Sequence, residues 1–457
     1  MHINDMTSGN PAKLLFSFAL PILAGSLIQQ AYTLVDSMML GRYVSTEALT
    51  AVSCTSWIYW LILNIFTGFT QGFSIIISQQ YGAKDYTKMR KSIAMSCILS
   101  FVLTVFITVA ALFFIPDLLV ILKTPENVID MSILYLNIVT AGVFITMLYN
   151  LLSSILRSLG DTQTAFIALI ISSIINIVLD AVFVIHFNLG VTGVAVATLI
   201  SQVFSCVVCF IKIKKWDVLH LCASDWSFNL KCSKELFKAG LPLATQNIVI
   251  SIGGLIMQGI VNSYGYVFTT AVSLTSKLVN LIQQAGVSFS VALGTYVAQN
   301  LGARKMERVK HGVGVCLKIN ISLAVISSLV FILIGKPALS LFLNTNEQSA
   351  ALNDTILRTA YYYLIIQCMF LFVVYALYTY RAALLGSGKT FIPMISGIVE
   401  LLIRLAVASW LPIYVGKNGV LFADVIAWFG AGALLMFTYY SKNSELFNAE
   451  AEPLSCE

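Results

Sequence analysis

The sequence predicts an all-α integral membrane protein with twelve transmembrane helices in two six-helix lobes. Hydrophobic residues make up 58% of the chain, charged residues 11%, and the mean hydropathy is +0.87. A soluble domain averages about 25% charged residues, so a soluble chain this apolar could not cover its surface with polar groups. The 457 residues accommodate about a dozen spans of roughly 20 residues each. An internal repeat divides these spans into two halves.

Apolar stretches recur along the chain and are separated by short polar or charged loops. In chain order, the predicted spans are 13–40, 48–80, 92–115, 128–157, 163–187, 190–212, 235–263, 266–301, 310–334, 352–385, 391–414 and 418–440. Several exceed the roughly 20 residues that cross the hydrocarbon core, and tilt or extension into water accommodates the excess. Their even number places both ends of the chain on one side of the membrane.

Lysine and arginine residues concentrate in alternate loops and predict the orientation. The basic residues of these loops are Lys84, Lys88, Arg90 and Lys91, then Lys212, Lys214, Lys215, Lys231, Lys234 and Lys238, then Arg304, Lys305, Arg308 and Lys310. The loops on the other side carry only scattered charges, which include Lys123 and Glu347. Positively charged loops remain in the cytoplasm. Both termini, with Lys13 and Lys442, are therefore predicted to be cytoplasmic.

Four short motifs recur in the same order in the two halves. The matches are Leu20-Pro21 with Leu241-Pro242, Gly82-Ala83-Lys84 with Gly302-Ala303-Arg304, Gly160-Asp161-Thr162 with Gly388-Lys389-Thr390, and Gly190 to Val194 with Gly416 to Val420. Because each half contains six spans, an even number, both halves have the same orientation in the membrane. This predicts a pseudo-twofold axis along the membrane normal. The predicted parts are an N-lobe at 11–212, a cytoplasmic linker at 213–234, a C-lobe at 235–440 and a cytoplasmic tail at 441–457.

Polar side chains inside apolar spans indicate a site in the first half. Asp36 stands in the first span and Asp180 late in the fifth, and an ionised carboxylate at the bilayer centre costs at least about 2.5–3.5 kcal/mol. Asn176 lies four residues before Asp180, on the same helical face. With Thr198 in the sixth span, these oxygen donors suit a proton or Na⁺. The alternative is that each acid lies at a helix end in water.

The second half has no equivalent acids and carries other charges instead. Lys277, Arg381, Glu400 and Arg404 lie within its predicted spans. Glu400 and Arg404 are four residues apart, which is the spacing of an intrahelical ion pair. We interpret them as a structural pair, with a role in substrate binding or gating as the alternative.

Two prolines and two tyrosines add to the candidate residues. Pro21 and Pro242 each remove a backbone donor inside a span, so each helix bends there, either as a static kink or as a moving hinge. Tyr32, one turn before Asp36, and Tyr135 line a pocket if Asp36 faces inward. An aromatic belt at the membrane interface is the alternative.

The sequence lacks the common motifs for nucleotide binding, metal binding and nucleophilic catalysis. The chain contains neither a P-loop, nor a GxGxxG after a strand, nor a His/Glu metal motif, nor a nucleophile elbow. We therefore predict no enzymatic activity, no organic cofactor and no nucleic-acid partner.

The ordered motifs resemble the multidrug and toxic compound extrusion (MATE) transporters. The matching stretches are Leu20-Pro21, Val35 to Gly41, Gln80 to Asp85, Arg157 to Asp161, Asn176 to Asp180 and Gly190 to Ala195, and their repeats extend the match to about residue 440. The resemblance implies efflux of organic cations across the cell membrane, driven by inward flow of Na⁺ or H⁺.

The sequence is similar to the prokaryotic branch named for DNA-damage-inducible protein F. That similarity implies an ion site made by Asp36, Asn176, Asp180 and Thr198, and a lobe cavity lined by Gln29, Tyr32, Tyr135 and Asn150. The other large bacterial branch relies on acids in spans seven, eight and ten. Here span eight carries Lys277 instead, and Glu400 fits neither pattern.

Three function classes follow from these observations. The leading hypothesis is a monomeric antiporter in which cargo binds between two rigid lobes that rock to alternate access. The second is a flippase for lipid-linked precursors on the same fold, which the cations Lys277, Arg381 and Arg404 would serve. The third is a membrane-embedded enzyme or a channel, for which the chain lacks clustered aspartates and the small subunit size of an oligomeric pore.

Overall fold

The computed structural model describes residues 5–122, 124–343 and 350–441, and every regular element in them is helical. The α-helices are α1 (Pro11–Tyr43), α2 (Thr46–Gly82), α3 (Tyr86–Ile121), α4 (Glu126–Ala141), α5 (Val143–Ser158), α6 (Gln163–Asp180), α7 (Gly190–Lys214), α8 (Leu230–Ser263), α9 (Tyr266–Gly302), α10 (Met306–Ser340), α11 (Ala350–Met369), α12 (Leu371–Gly386), α13 (Phe391–Val415) and α14 (Ala423–Ser441). Lys123, Glu347, Lys442 and nearly all of the predicted tail at 441–457 lie outside the described residues.

These helices form the twelve predicted spans, so the predicted fold class is confirmed. Two spans are broken helix pairs: α4 and α5 meet at a 45° bend, and α11 and α12 at a 48° bend. Nine other helices of the described chain are long and apolar enough to cross a membrane by themselves. The twelfth span is α9, which has 37 residues. It is less apolar because it carries Lys277, Asn280, Gln283 and Gln284.

The sequence repeat is also a repeat of backbone conformation. Lys84 and its counterpart Arg304 have φ of 58° and 56°. The paired glycines Gly160 and Gly388 have φ of 95° and 84°, and Gly190 and Gly416 have φ of 57° and 71°. Left-handed backbone costs a residue with a Cβ more than it costs glycine. The four glycines therefore recur because the same helix-connecting turns are built twice.

The chain divides into two compact units whose limits differ from the predicted lobes. Leu20–Ala244 forms nearly all of the first unit, and Thr7–Ala19 belongs to the second with the described residues from Thr245 onward. By packing, 213–244 lies in the first unit and the first turns of α1 lie in the second, while the lobe boundaries remain a prediction. The reason is packing, because the start of each half's first helix is buried against helices of the other half.

In the first unit, the start of α8 packs backbone to backbone against α2. A Cβ added at Gly72 would lie 2.4 Å from the Cα of Gly240, and one added at Gly68 would lie 2.4 Å from the amide nitrogen of Ala244. Small residues allow helices to approach this closely in membranes. The predicted linker packs here too. Its residues Leu219 and Cys232 belong to an apolar core that also contains Phe69, Phe73, Ile77 and Met89.

In the second unit, the segment before α1 is held by the start of α10. Lys305 Nζ donates to the carbonyl of Thr7 at 2.8 Å, and Arg308 Nη1 donates to the carbonyl of Gly9 at 3.0 Å. The ring of Phe16 on α1 meets the ring of Phe289 on α9 at 5.0 Å between centroids. In each unit, therefore, the start of a helix from one half of the sequence packs against helices of the other half.

Candidate functional site

Asp36 of α1 and Asp180 of α6 come together inside the first unit. Their carboxyl groups lie close enough to interact electrostatically. Asp180 is the last residue of α6 yet is 0% exposed, so a water-exposed helix end is the wrong interpretation for it. Among the described residues, no donor reaches either oxygen of Asp180 or the Oδ1 of Asp36. Two such carboxylates repel when both are ionised, and a shared proton or a cation relieves the repulsion.

Asn176 joins the acids, whereas Thr198 has a partner on its own helix. Asn176 is 2% exposed, and neither atom of its amide has a partner in the described chain. Thr198 Oγ1 donates to the carbonyl of Val194 at 2.9 Å, which leaves its lone pairs as possible cation ligands. Bonds from Ser172 to Ser201 and from Ser205 to Ala168 fix the antiparallel register of α6 and α7. Continuing this register places Thr198 level with Ile175, the residue before Asn176.

A π-helical turn follows Asp180 directly. It covers Ala181–His186, and the amide of Phe187 donates to the carbonyl of Val182, five residues back, at 3.1 Å. Such turns are rare and frequently occur at functional sites. Here the turn interrupts the regular helix immediately after the buried acid.

Tyrosines from two helices lie near the acid pair, and a third tyrosine adjoins them. Tyr32 of α1 and Tyr135 of α4 are within electrostatic range of Asp36, and Tyr135 also of Asp180. Tyr59 of α2 adjoins Tyr135. It was not among the site residues predicted from the sequence. The hydroxyl of Tyr59 faces a further polar pair, in which Thr146 of α5 donates to the Oε1 of Gln202 of α7. An amide in the apolar run of α7 is the sequence signal that could have indicated this cluster.

The two remaining predicted cavity residues are less closely tied to the acids. Gln29 is exposed and lies one turn from Tyr32, whose hydroxyl its side chain approaches. Asn150 Nδ2 donates to the carbonyl of Thr146 at 3.0 Å, within α5. The structure thus places Gln29 beside the aromatic cluster and gives Asn150 a partner on its own helix.

Arg157 is a half-buried cation to which the sequence alone assigned no role. It lies in the last turn of α5, and its guanidinium points back along the helix to Ser153 Oγ at 2.7 Å and Ser154 Oγ at 2.9 Å. No carboxylate of the described chain lies within ion-pair distance of it. Tyr149 adjoins both Arg157 and Tyr32, so a fixed positive charge borders the tyrosine cluster.

Four charged residues of the second unit form an ion-pair network. Glu400 Oε1 lies 2.8 Å from Arg404 Nη2, which is the predicted pair, and its Oε2 lies 3.0 Å from Arg381 Nη2. Arg404 Nε lies 2.8 Å from Asp424 Oδ1. Tyr363 donates to the other oxygen of Asp424 at 2.8 Å. Two cations and two anions balance, and they connect α11, α12, α13 and α14.

Lys277 stands apart from this network. Its ammonium group lies 5.8 Å from the ring centroid of Phe342, just beyond the end of α10, and the side chain is exposed. Deeper in α9, Gln283 Oε1 accepts from the hydroxyl of Tyr378 at 2.9 Å. The second unit therefore presents paired polar groups around its network and one exposed cation on α9.

The donor set of the first unit determines which ion it could hold. In the described part of the chain, no three His, Cys, Asp or Glu side chains converge as they would around a transition metal. The acid pair and Asn176 offer hard oxygen atoms instead. Such ligands suit Na⁺, and the close carboxyl pair equally suits a proton.

Comparisons with known proteins agree with this architecture. The profile of the family described as MatE matches residues 21–182 and 242–410, two segments that begin at Pro21 and Pro242. The probable multidrug resistance protein YoeA of Bacillus subtilis (strain 168) is 29% identical over 358 residues, which cover 76% of this chain and 77% of that protein. The multidrug export protein MepA of Staphylococcus haemolyticus (strain JCSC1435) is 25% identical over 456 residues, 97% of each chain.

Solved structures share the whole fold. A MATE crystal structure in complex with MaL6 superposes with a TM-score of 0.90 and 22% identity, covering 98% of this chain and 100% of that one. A MOP superfamily transporter from Pyrococcus furiosus, described as having a binding pocket of reversed polarity, also gives a TM-score of 0.90 at 22% identity, covering 98% and 99%. At this identity the likeness shows the fold alone.

Proposed function

The chain belongs to the MatE family of membrane transporters, and on this premise we propose that it exports organic cations, drugs among them, in exchange for Na⁺ or H⁺ entering the cell. The names of the relatives support the cargo class, since YoeA and MepA are called multidrug resistance and multidrug export proteins. The cell membrane is the location that this activity requires.

One observation carries the proposal: the carboxyl groups of Asp36 and Asp180 lie near each other, and neither forms an ion pair with a residue that the structure describes. Because Asp180 is fully buried, such a pair of carboxylates is stable only when a positive charge neutralises it. The charge can be a proton, a Na⁺ ion or the cationic group of a cargo molecule. The site therefore suits exchange, because one positive charge must leave before another binds.

The tyrosines around the acids suit an organic cation in particular. Ring faces attract cations with about 0.5–2 kcal/mol per contact, and Tyr32 and Tyr135 lie within electrostatic range of Asp36. Entry of Na⁺ or H⁺ would neutralise the acids and weaken the hold on the cargo. Exchange of one monovalent cation for another moves no net charge, so the concentration gradient of Na⁺ or H⁺ drives it, and a tenfold gradient supplies about 1.4 kcal/mol.

Alternating access would use the two helices that contribute to both compact units. The unit boundaries fall beside Pro21 in α1 and beside Pro242 in α8. A proline removes one backbone hydrogen bond and so marks the point where a helix bends most easily. Occupancy of the acid pair could shift the conformational equilibrium only through different affinities in the two states.

The flippase alternative receives no specific support from the charges. A lipid diphosphate needs uncompensated cations, whereas Arg381 and Arg404 are neutralised by Glu400 and Asp424. Lys277 is the one cation of that predicted set outside the network.

The test is ethidium uptake into inverted membrane vesicles, under an imposed Na⁺ gradient and under an imposed pH gradient separately. We expect Asp36→Asn and Asp180→Asn each to reduce gradient-driven uptake by at least about tenfold, because neither amide binds a proton or holds the negative charge. Asp130→Asn, which changes an exposed acid of α4, is the matched control and should transport normally. Wild-type uptake by both acid-pair variants at matched membrane levels would refute the assignment.

A further inference from the structure

The chain between α7 and α8 lies along the start of α3. Arg90 Nε is 3.7 Å from Asp225 Oδ2, and the amide of Asn229 donates to Met95 Sδ at 3.5 Å. Ser92 Oγ lies 3.6 Å from Cys232 Sγ. These contacts fix residues 212–238, called here the interfacial segment, within the first unit.

The composition of α3 gives the depth of these contacts in the bilayer. Lys88, Arg90 and Lys91 occupy its first two turns, and no charged residue follows until Asp117. Basic residues mark the headgroup region, and the uncharged run after them marks the hydrocarbon core. Because Met95 lies one turn beyond Lys91, the chain around Asn229 is level with the boundary between headgroups and hydrocarbon.

Three large apolar side chains of the segment are exposed at this level. Trp226 is 46% exposed, Phe228 63% and Leu230 71%. In water such exposure would be unfavourable, whereas Trp and Phe are stable at the membrane interface, where an apolar ring meets polar headgroups. Their position around Asn229 indicates that they contact lipid.

The same segment carries a concentrated positive charge. Its basic residues are Lys212, Lys214, Lys215, Lys231, Lys234 and Lys238. None of these six forms an ion pair within the part of the chain that the structure describes. The last three lie at helical spacing along one side of the first turns of α8. The segment thus combines lysines that lack carboxylate partners with apolar side chains at interfacial depth.

We propose that the interfacial segment is a binding site for anionic phospholipids of the cytoplasmic leaflet. The lysines contact the phosphate groups, and Trp226, Phe228 and Leu230 enter the region of the first acyl carbons. Charge complementarity selects anionic over zwitterionic headgroups, because basic clusters at a membrane surface attract negative lipid. The inference does not depend on which cargo or coupling ion the protein uses.

The experiment measures quenching of Trp226 by brominated lipids in nanodiscs that contain the full-length protein. The discs hold equal low mole fractions of brominated phosphatidylglycerol or brominated phosphatidylcholine in unlabelled phosphatidylcholine. The signal of Trp226 is obtained as the difference between the wild type and Trp226→Phe. We expect phosphatidylglycerol to quench at least about twofold more strongly, and high salt to reduce this ratio toward one.

Two charge variants complete the test. Combined replacement of Lys231, Lys234 and Lys238 by Gln should abolish the preference for phosphatidylglycerol. Replacement of three exposed lysines outside the segment, Lys13, Lys310 and Lys318, should preserve it. Equal quenching by both lipids in the wild type would overturn charge selection. Absence of quenching by either lipid would overturn the membrane contact and indicate that the segment faces water or another protein.

Discussion

At the scale of single residues, the two compact units differ in whether the carboxylates inside them have counter-charges. In the first, Asp36 and Asp180 lie near each other, and no cation in the described part of the chain forms an ion pair with either. In the second, Glu400 is held between Arg381 and Arg404. Fixed counter-charges neutralise a carboxylate permanently. A carboxylate pair without them is neutralised only when a proton or another cation binds. This contrast is the reason for assigning exchange to the first unit and a structural role to the network.

The structural role of the network can be tested at Arg404. Arg404→Met should destabilise the protein by about 3–5 kcal/mol, because Glu400 and Asp424 lose a partner while staying largely buried. The measurement is thermal unfolding in detergent, followed by loss of the monodisperse peak in size-exclusion chromatography.

A matched control exists in α11, where Arg358 and Asp354 form an ion pair with the same i, i+4 spacing, 2.7 Å long, at 76% and 50% exposure. Arg358→Met should cost no more than about 1 kcal/mol, since exposed pairs contribute little. Equal effects of Arg358→Met and Arg404→Met would contradict the assignment of the network as a structural element.

At the scale of elements, α1 and α8 have the same design. Each contains a proline in its first half, and each begins in the unit formed mainly by the other half of the sequence. Close packing holds these starts in place, through Phe16 against Phe289 in one unit and Gly240 against Gly72 in the other. A rigid start followed by a weakened turn confines bending to the proline region.

The backbone contact between α2 and α8 makes a prediction about glycine. Gly72→Ala should destabilise the protein by about 1–3 kcal/mol, because its Cβ would meet the Cα of Gly240, which cannot move aside as a side chain can. Thermal unfolding in detergent measures the effect. Gly259→Ala in the same α8 is the control, since a Cβ there meets nothing within 4 Å. It should stabilise slightly through helix propensity, and a destabilisation as large as that of Gly72→Ala would argue against the contact.

At the scale of the whole molecule, the distribution of charge predicts that the long connection between α7 and α8 is cytoplasmic. Cys222 lies in that connection and is exposed, whereas the other cysteines of the described chain are buried or half-buried. The connection therefore provides a natural label site for topology.

Labelling with a membrane-impermeant maleimide tests this topology. Labelling of Cys222 is the maleimide signal of the wild type minus that of Cys222→Ser. This difference should be present in inverted vesicles and absent from intact cells. An added cysteine at Lys417, in a loop on the opposite side, should show the reverse pattern. Labelling of Cys222 from outside intact cells would overturn the predicted orientation.

The sequence by itself determined the span number, the two-fold repeat and the identity of the acids. These follow from local composition, because a segment enters lipid according to its own hydrophobicity and a turn repeats wherever its glycines repeat. Only the tertiary structure decided which charges are compensated. Asp36 meets Asp180 from a distant helix, and Asp424 completes a network that the spacing of Glu400 and Arg404 showed only in part. Arg157 has no carboxylate within ion-pair distance among the described residues. The free energy of a buried charge depends on neighbours from other helices, which no single segment of sequence contains.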